Sequence, residues 1–468
     1  MVMKLKTGIP GLDPLLKGGL ERGWSYLIKG GPGTGKTIFG LQFLLEGKKS
    51  VYISFDEVID EIKLQANQFG WNIDGIYFID KVKEMDILKG DPMFYDSISE
   101  ITEFIESITS LEELEGVERV FIDGVGVIRD VTKNDAIYRR LLSSIINFLN
   151  SIRATTIISA EMITEVGRDI ISYLTSGEFV LRKVKRKDGK ILRTIEIVKY
   201  RGGDAYLGEH YFSITKNGIK VFPIIPVHKR RDYDYSLIST GNKELDKMLG
   251  GGILKGSKVY IAGKTGVGKT NMCLEILKRN DLDGKVGIIY TFDESERIIL
   301  RKMKDIFNYQ PKSLIVREVN ATSLGEFYNM VMEDLNLNPE IIAIDPLNAL
   351  DDMAITTNEF VSTLSLLKGQ LEALGVTLLC VYEITQPLSE FHFTGAGMSR
   401  FADYLIVGRH MEMNGELLKV ISVIKNRFGD HERFLRILNI EKEKGLIIGR
   451  PLIDYSGIMK GVIERRSV

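Results

Sequence analysis

The segment Gly30-Gly31-Pro32-Gly33-Thr34-Gly35-Lys36-Thr37 follows the apolar run Ser25 to Lys29 and leads into a helical pattern. It satisfies Gly-x-x-x-x-Gly-Lys-[Ser/Thr] in the strand-to-helix context that separates a phosphate-binding loop from a chance match. The glycines permit backbone angles that turn successive amides toward phosphate oxygens, and the following helix adds its positive N-terminal end. Lys36 is then placed to reach the β and γ phosphates, with the Thr37 hydroxyl available to Mg²⁺.

The segment recurs as Gly263-Lys264-Thr265-Gly266-Val267-Gly268-Lys269-Thr270, at an offset of 263 − 30 = 233. The same offset carries Thr7-Gly-Ile-Pro-Gly-Leu-Asp13 and Gly18-Gly19 onto Thr240-Gly-Asn-Lys-Glu-Leu-Asp246 and Gly251-Gly252. A period this long is a domain duplication, since solenoid units span only about 20 to 50 residues. Between the copies, Pro223 to Tyr235 combines prolines, a charge cluster and no periodicity, which reads as a linker. The expected organisation is a first domain over 1–228, a linker over 229–236, a second domain over 237–447 and a tail over 448–468.

Each half alternates short apolar runs with helical stretches, the pattern of a mostly parallel sheet covered by helices. Expected strands in the first half are Ser25 to Lys29, Ser50 to Phe55, Ile76 to Ile79, Val117 to Ile122 and Thr155 to Ser159. Those in the second are Lys258 to Ala262, Val286 to Phe292, Ser313 to Val316, Ile341 to Ile344 and Thr377 to Tyr382. After the fifth strand each half turns β-rich. In the first, Glu178 to Lys185 and Arg193 to Lys199 flank Asp188-Gly189, a hairpin signal.

Composition narrows the class. The 468 residues predict two large domains or three of about 150 residues. Lys plus Arg total 62 against 63 Asp plus Glu, a net charge of −1, and 44% of residues are hydrophobic. That balance suits a globular chain and lacks the basic excess of a polyanion binder. Cys273 and Cys380 are too few and too isolated for a disulfide framework or zinc cluster, and the first residues, Met1 to Gly8, show no apolar leader pattern, nor is there a run of about 18 apolar residues. The expectation is a soluble, cytoplasmic protein with no membrane partner.

Two kinds of carboxylate accompany the glycine loops. Asp123 and Asp345 each end an apolar strand, where α/β sheets bind ligands, and would complete a Mg²⁺ site with Thr37 and Thr270. Asp56-Glu57 and Asp293-Glu294 follow the second strand of each half. Such a pair can orient or deprotonate an attacking water, or it can cap the next helix.

With these motifs the chain resembles the KaiC branch of the RecA superfamily, and the match spans nearly its whole length. The resemblance implies two tandem RecA-like P-loop NTPase domains of α/β class that use ATP and Mg²⁺. Lys199-Tyr-Arg201-Gly202 and Lys425-Asn-Arg427 resemble the family's Lys-x-Arg segments. The resemblance implies that Lys199, Arg201, Lys425 and Arg427 reach a neighbouring subunit's γ phosphate in a homo-oligomeric, typically hexameric, ring. A cation supplied in trans would make hydrolysis depend on assembly.

Departures from the family pattern are specific. Both acidic pairs begin with Asp where the family usually has Glu. Ser399 matches the family's phosphoacceptor serine, while Arg400 stands in place of the threonine beside it, leaving one serine for autokinase activity. The C-terminal stretch resembles a partner-docking tail in position. The basic segment Arg182 to Lys190 lacks the interleaved aromatics of a nucleic-acid surface. The reading is a ring-forming regulatory or signalling ATPase. Alternatives are a nucleotide-gated scaffold with incidental turnover and a recombinase-like DNA-binding ATPase, the latter disfavoured by the near-neutral charge.

Overall fold

Ser25–Gly30 (β1) delivers the chain into the first glycine loop, and every residue but Lys29 is buried. It lies in the middle of a sheet built with Ser50–Ser54 (β2), Ile76–Asp80 (β3), Arg119–Asp123 (β4), Thr155–Ala160 (β5), Gly177–Lys185 (β6), Ile191–Tyr200 (β7), Gly208–Thr215 (β8) and Gly218–Phe222 (β9). The strand order is β3-β2-β4-β5-β1-β6-β7-β8-β9. Pairing is parallel from β3 through β6 and antiparallel from there to β9. The structure, a computed structural model, describes residues 4–82, 98–132, 134–162, 170–186, 188–226, 230–384, 400–413, 415–453, 455–456 and 464–465. The chain divides into two compact units, Met1–Ile225 and Pro226–Val468.

Alternation along the strands explains why runs without polar residues are needed. Side chains point to opposite faces with period two, and helices cover both faces, so every position in a central strand is interior. Tyr26, Ile28, Tyr52, Phe121 and Ile157 pack with Phe39 and Phe43 of the helix Lys36–Leu45. Their neighbours Leu27, Val51, Ile53, Val120, Ile122 and Ile158 pack with Leu142, Ile146 and Leu149 of the helix Asp135–Ser151.

The second unit repeats this plan. A small ribbon of Leu237–Ile238 (β10) and Ile253–Leu254 (β11) precedes Lys258–Gly263 (β12), Gly287–Thr291 (β13), Leu314–Glu318 (β14), Ile341–Asp345 (β15) and Thr377–Glu383 (β16). Tyr404–Met413 (β17), Glu416–Asn426 (β18), Arg436–Glu441 (β19) and Gly445–Pro451 (β20) follow. The order β14-β13-β15-β16-β12-β17-β18-β19-β20 matches the first sheet position for position. The repeated Thr…Asp pair opens each unit for a local reason. The Thr7 amide donates to Asp13 Oδ1 at 2.9 Å, and the Thr240 amide to Asp246 Oδ1 at 2.7 Å.

Three differences from expectation are structural. Strand edges shift by one or two residues; the fourth strand starts at Arg119 rather than Val117. The strand Gly445–Pro451 runs across the expected domain end at 447, because its apolar residues pair with β19. The segment expected as a linker lies against the second unit. The Arg231 amide donates to Ala373 O at 2.9 Å, and the Arg231 guanidinium donates to Asn338 Oδ1 at 2.7 Å. Among the described residues, no helix is long and apolar enough to cross a membrane.

Candidate nucleotide sites

In the first unit the loop between β1 and the helix Lys36–Leu45 uses left-handed backbone at Gly33 (φ 65°) and Gly35 (φ 110°), which glycine adopts without steric cost. The Thr34 hydroxyl donates to Gly31 O at 2.8 Å and closes the loop on itself. Lys36 Nζ donates to Gly30 O at 2.8 Å and to Gly31 O at 3.4 Å, so the cation spans the cradle it belongs to. Opposite, the Thr37 hydroxyl donates to Asp123 Oδ2 at 3.4 Å, bringing a hydroxyl and a carboxylate oxygen together at the ends of two elements. Two hard oxygen donors of this kind fit Mg²⁺.

Parallel register carries the acidic pair to the same edge. Ser54 pairs with Asp123, so Asp56 and Glu57 follow directly beyond the strand end. Ser54 Oγ donates to Glu57 O at 2.6 Å and pins the turn. Gly33, Lys36, Thr37, Asp56, Glu57 and Asp123 line one cavity of about 870 Å³. Burial raises the Glu57 carboxyl above the usual glutamate value; the Asp123 and Asp56 carboxylates add to this, and Lys36 opposes it.

Tyr52 and Ser159 were not expected at this site. Both hydroxyls donate to Asp123, one to each carboxylate oxygen. Burial beside Asp123 pushes the Tyr52 phenol well above its ordinary range. Nothing in their local sequence marks them; only parallel pairing of β2, β4 and β5 brings them together. Basic side chains on β6 and β17 were also missed: Lys183 Nζ donates to Pro32 O at 3.1 Å, and His410 Nε2 lies 3.1 Å from Thr265 O.

The second site shares the frame and differs in its partners. Thr291 pairs with Asp345 as Ser54 pairs with Asp123, which aligns Asp293 and Glu294 with Asp56 and Glu57. Lys269 Nζ donates to Lys264 O at 3.0 Å, and burial lowers its pKa against the pull of Glu383 and Asp345. Val267 replaces Thr34 and is fully buried. The positions of Tyr52 and Ser159 hold Ile289 and Val381, both apolar. Without those hydroxyls, burial pushes the Asp345 carboxyl up to about 6, and the Thr270 hydrogen bond only partly offsets it. Glu294 Oε1 accepts from Lys302 Nζ, while Glu294 Oε2 is buried without a partner. The Thr265 hydroxyl donates to Glu383 at the end of β16.

Among the Lys-x-Arg cations, Lys199 and Arg427 engage groups away from the glycine loops. Lys199 Nζ donates to Ser172 O, Arg201 is exposed beyond β7, and neither lines the first cavity. Arg427 donates to Arg400 O at 2.9 Å and approaches Asp403 at 3.5 Å, while burial lowers the pKa of Lys425. Ser399 lies outside the described residues, as does most of the tail beyond Ile453.

A family profile described as "ATPase: KaiC" matches residues 5–225 and again 238–452. The circadian clock protein KaiC3 of Synechocystis sp. is 30% identical, with 98% of this chain and 94% of that protein covered. The circadian clock oscillator protein KaiC of Synechococcus elongatus is 27% identical, with 100% of this chain and 93% of that protein covered. Its counterpart from Rippkaea orientalis is 28% identical, with 100% of this chain and 92% of that protein covered.

Proposed function

The chain belongs to the KaiC family of ATPases, and from that premise we propose that it is a Mg²⁺-dependent ATPase with one ATP site per domain. The observation that carries this reading is the convergence of Lys36, Thr37, Asp123 and Glu57 on one cavity at the carboxyl edge of the first sheet. Lys36 exchanges its loop carbonyls for β and γ phosphate oxygens when nucleotide enters, and the loop amides of Gly33 to Thr37 bind the same phosphates. Gly263, Thr265, Gly266, Val267, Gly268, Lys269 and Thr270 form the corresponding cradle in the second domain. Thr37 with Asp123, and Thr270 with Asp345, are the residues to hold Mg²⁺. A metal held by them would supply positive charge against that developing on the phosphates.

Glu57 accepts a proton from the attacking water, with Asp56 beside it, as that oxygen bonds to the γ phosphorus and ADP departs. Raised basicity suits the role, since a general base works best with a pKa near the working pH. Glu294 and Asp293 are the counterparts. Lys199, Arg201, Lys425 and Arg427 complete sites in adjacent copies of a ring. Support for that assignment is the absence of Lys199 and Arg201 from the lining of their own unit's cavity and the exposure of Arg201 and Arg427. Regulation through a partner at the tail, phosphorylation of Ser399 and a cytoplasmic setting belong to the same reading.

Phosphate release from Mg²⁺-ATP tests it. Glu57→Gln with Glu294→Gln should reduce turnover by about 10² to 10⁴ while ATP binding persists. Undiminished turnover in that double variant excludes these bases. Turnover that rises sharply on adding DNA instead favours the recombinase-like alternative.

A further inference from the structure

The two sites differ at one position that bears directly on the water-activating carboxylate. Glu57 and Glu294 occupy equivalent places, each three residues beyond a strand residue paired with the strand-end aspartate. Eight residues further on stand Gln65 (57 + 8) and Lys302 (294 + 8), on the helices Ile59–Gln68 and Glu296–Phe307. Lys302 forms an ion pair with Glu294 Oε1, and the second oxygen of Glu294 has no partner. In the first unit the same place holds a neutral amide. Gln65 lines the cavity with Glu57, its Oε1 is unpartnered, and Glu57 forms no ion pair among the described residues. The neighbouring cation Arg301 is engaged elsewhere, with Asp305 at 3.2 Å.

An ammonium on a general base opposes its task, because it holds the carboxylate oxygen in a hydrogen bond that the incoming water must displace. Side-chain exposures of 27% for Lys302 and 30% for Glu294 leave the pair partly shielded, where attraction exceeds that of a fully solvated pair. We infer that Lys302 is a positioning residue that restrains Glu294, making the second site the slower of the two, while Gln65 leaves Glu57 available. The inference rests on the assignment of Glu57 and Glu294 as the bases.

Six full-length variants separate it from that assignment, each read by steady-state phosphate release and by ATP affinity. Glu57→Gln with Glu294→Gln should be nearly silent; residual turnover at the unmodified rate overturns the base assignment itself. Glu57→Gln alone reports the second site. Adding Lys302→Gln to it should raise kcat about tenfold or more with ATP affinity within about twofold, because a base worth about 10² to 10⁴ is released. Equal or lower kcat overturns the inference, and a gain that survives further replacement of Glu294 by Gln does so as well. In the reciprocal direction, Glu294→Gln with Gln65→Lys should turn over about tenfold more slowly than Glu294→Gln alone. If Lys302→Gln does not fold, this arm decides, and unchanged turnover overturns the inference.

Discussion

Asp123 and Asp345 occupy the same register position in two sheets, yet their surroundings differ at the level of single hydroxyls. Tyr52 and Ser159 satisfy both oxygens of Asp123, and each hydrogen bond to an ionised acceptor offsets part of the cost of burying charge. Ile289 and Val381 offer Asp345 nothing comparable, and its carboxyl rises from 3.8 to about 6. A folded-state value above the unfolded one contributes stability at low pH that is lost as pH rises through about 6. Keeping the buried group charged at neutral pH therefore costs the metal-free domain up to about 3 kcal/mol, since each tenfold change in proton affinity is worth about 1.4 kcal/mol. Asp345→Asn should stabilise the metal-free protein against urea at pH 8 by an amount approaching that figure, and have little effect near pH 4. An equal effect at both pH values would mean that ionisation of Asp345 is not the source of the cost. The aspartates were legible in the sequence because each ends an apolar run. Their hydroxyl partners were not, because Tyr52 and Ser159 look like ordinary strand residues until the strands are paired.

One pair of residues limits how closely the helix Lys36–Leu45 approaches its sheet. In the first unit a Cβ on Gly40 would come within 2.4 Å of the Phe121 ring, so only glycine lets that helix approach. The corresponding positions of the second unit are Cys273 (40 + 233) and Ala343, two residues before the strand-end aspartate as Phe121 is, and both are fully buried. Phenylalanine against glycine is replaced by alanine against cysteine, so the strand gives up bulk where the helix gains a side chain, as a close-packed interior requires. Gly40→Ala should destabilise the first domain by about 1 to 3 kcal/mol through overpacking, and Phe121→Leu should recover part of that loss in denaturant titrations. Additive losses in the double variant would show that the two residues do not share the space. Strand positions were readable from apolar runs to within one or two residues. This compensation was not, because its partners are 121 − 40 = 81 residues apart and meet only when helix and sheet pack.

At the scale of the whole molecule, the trans assignment of the Lys-x-Arg segments makes a prediction that no single subunit can satisfy. In a Glu294→Gln background, Arg201→Ala copies lack the cation and Glu57→Gln copies lack the base. Randomly mixed rings should recover about a quarter of the turnover that neither variant has alone, since a site between the two kinds of copy is complete in one orientation and lacks both groups in the other. Failure to complement, with assembly confirmed by light scattering, would remove Arg201 from the neighbour's site. The sequence by itself determined the duplication, the two glycine loops and the carboxylates at strand ends, because those depend on local spacing and on the polarity of contiguous residues. Only the tertiary structure decided which groups surround those carboxylates: Tyr52 and Ser159 on Asp123, Lys302 on Glu294, Gln65 beside Glu57. Two sites written with nearly the same motif are thereby made chemically unequal. Charge and hydrogen bonding act over a few ångströms of space, and the folded register of strands and helices sets those distances.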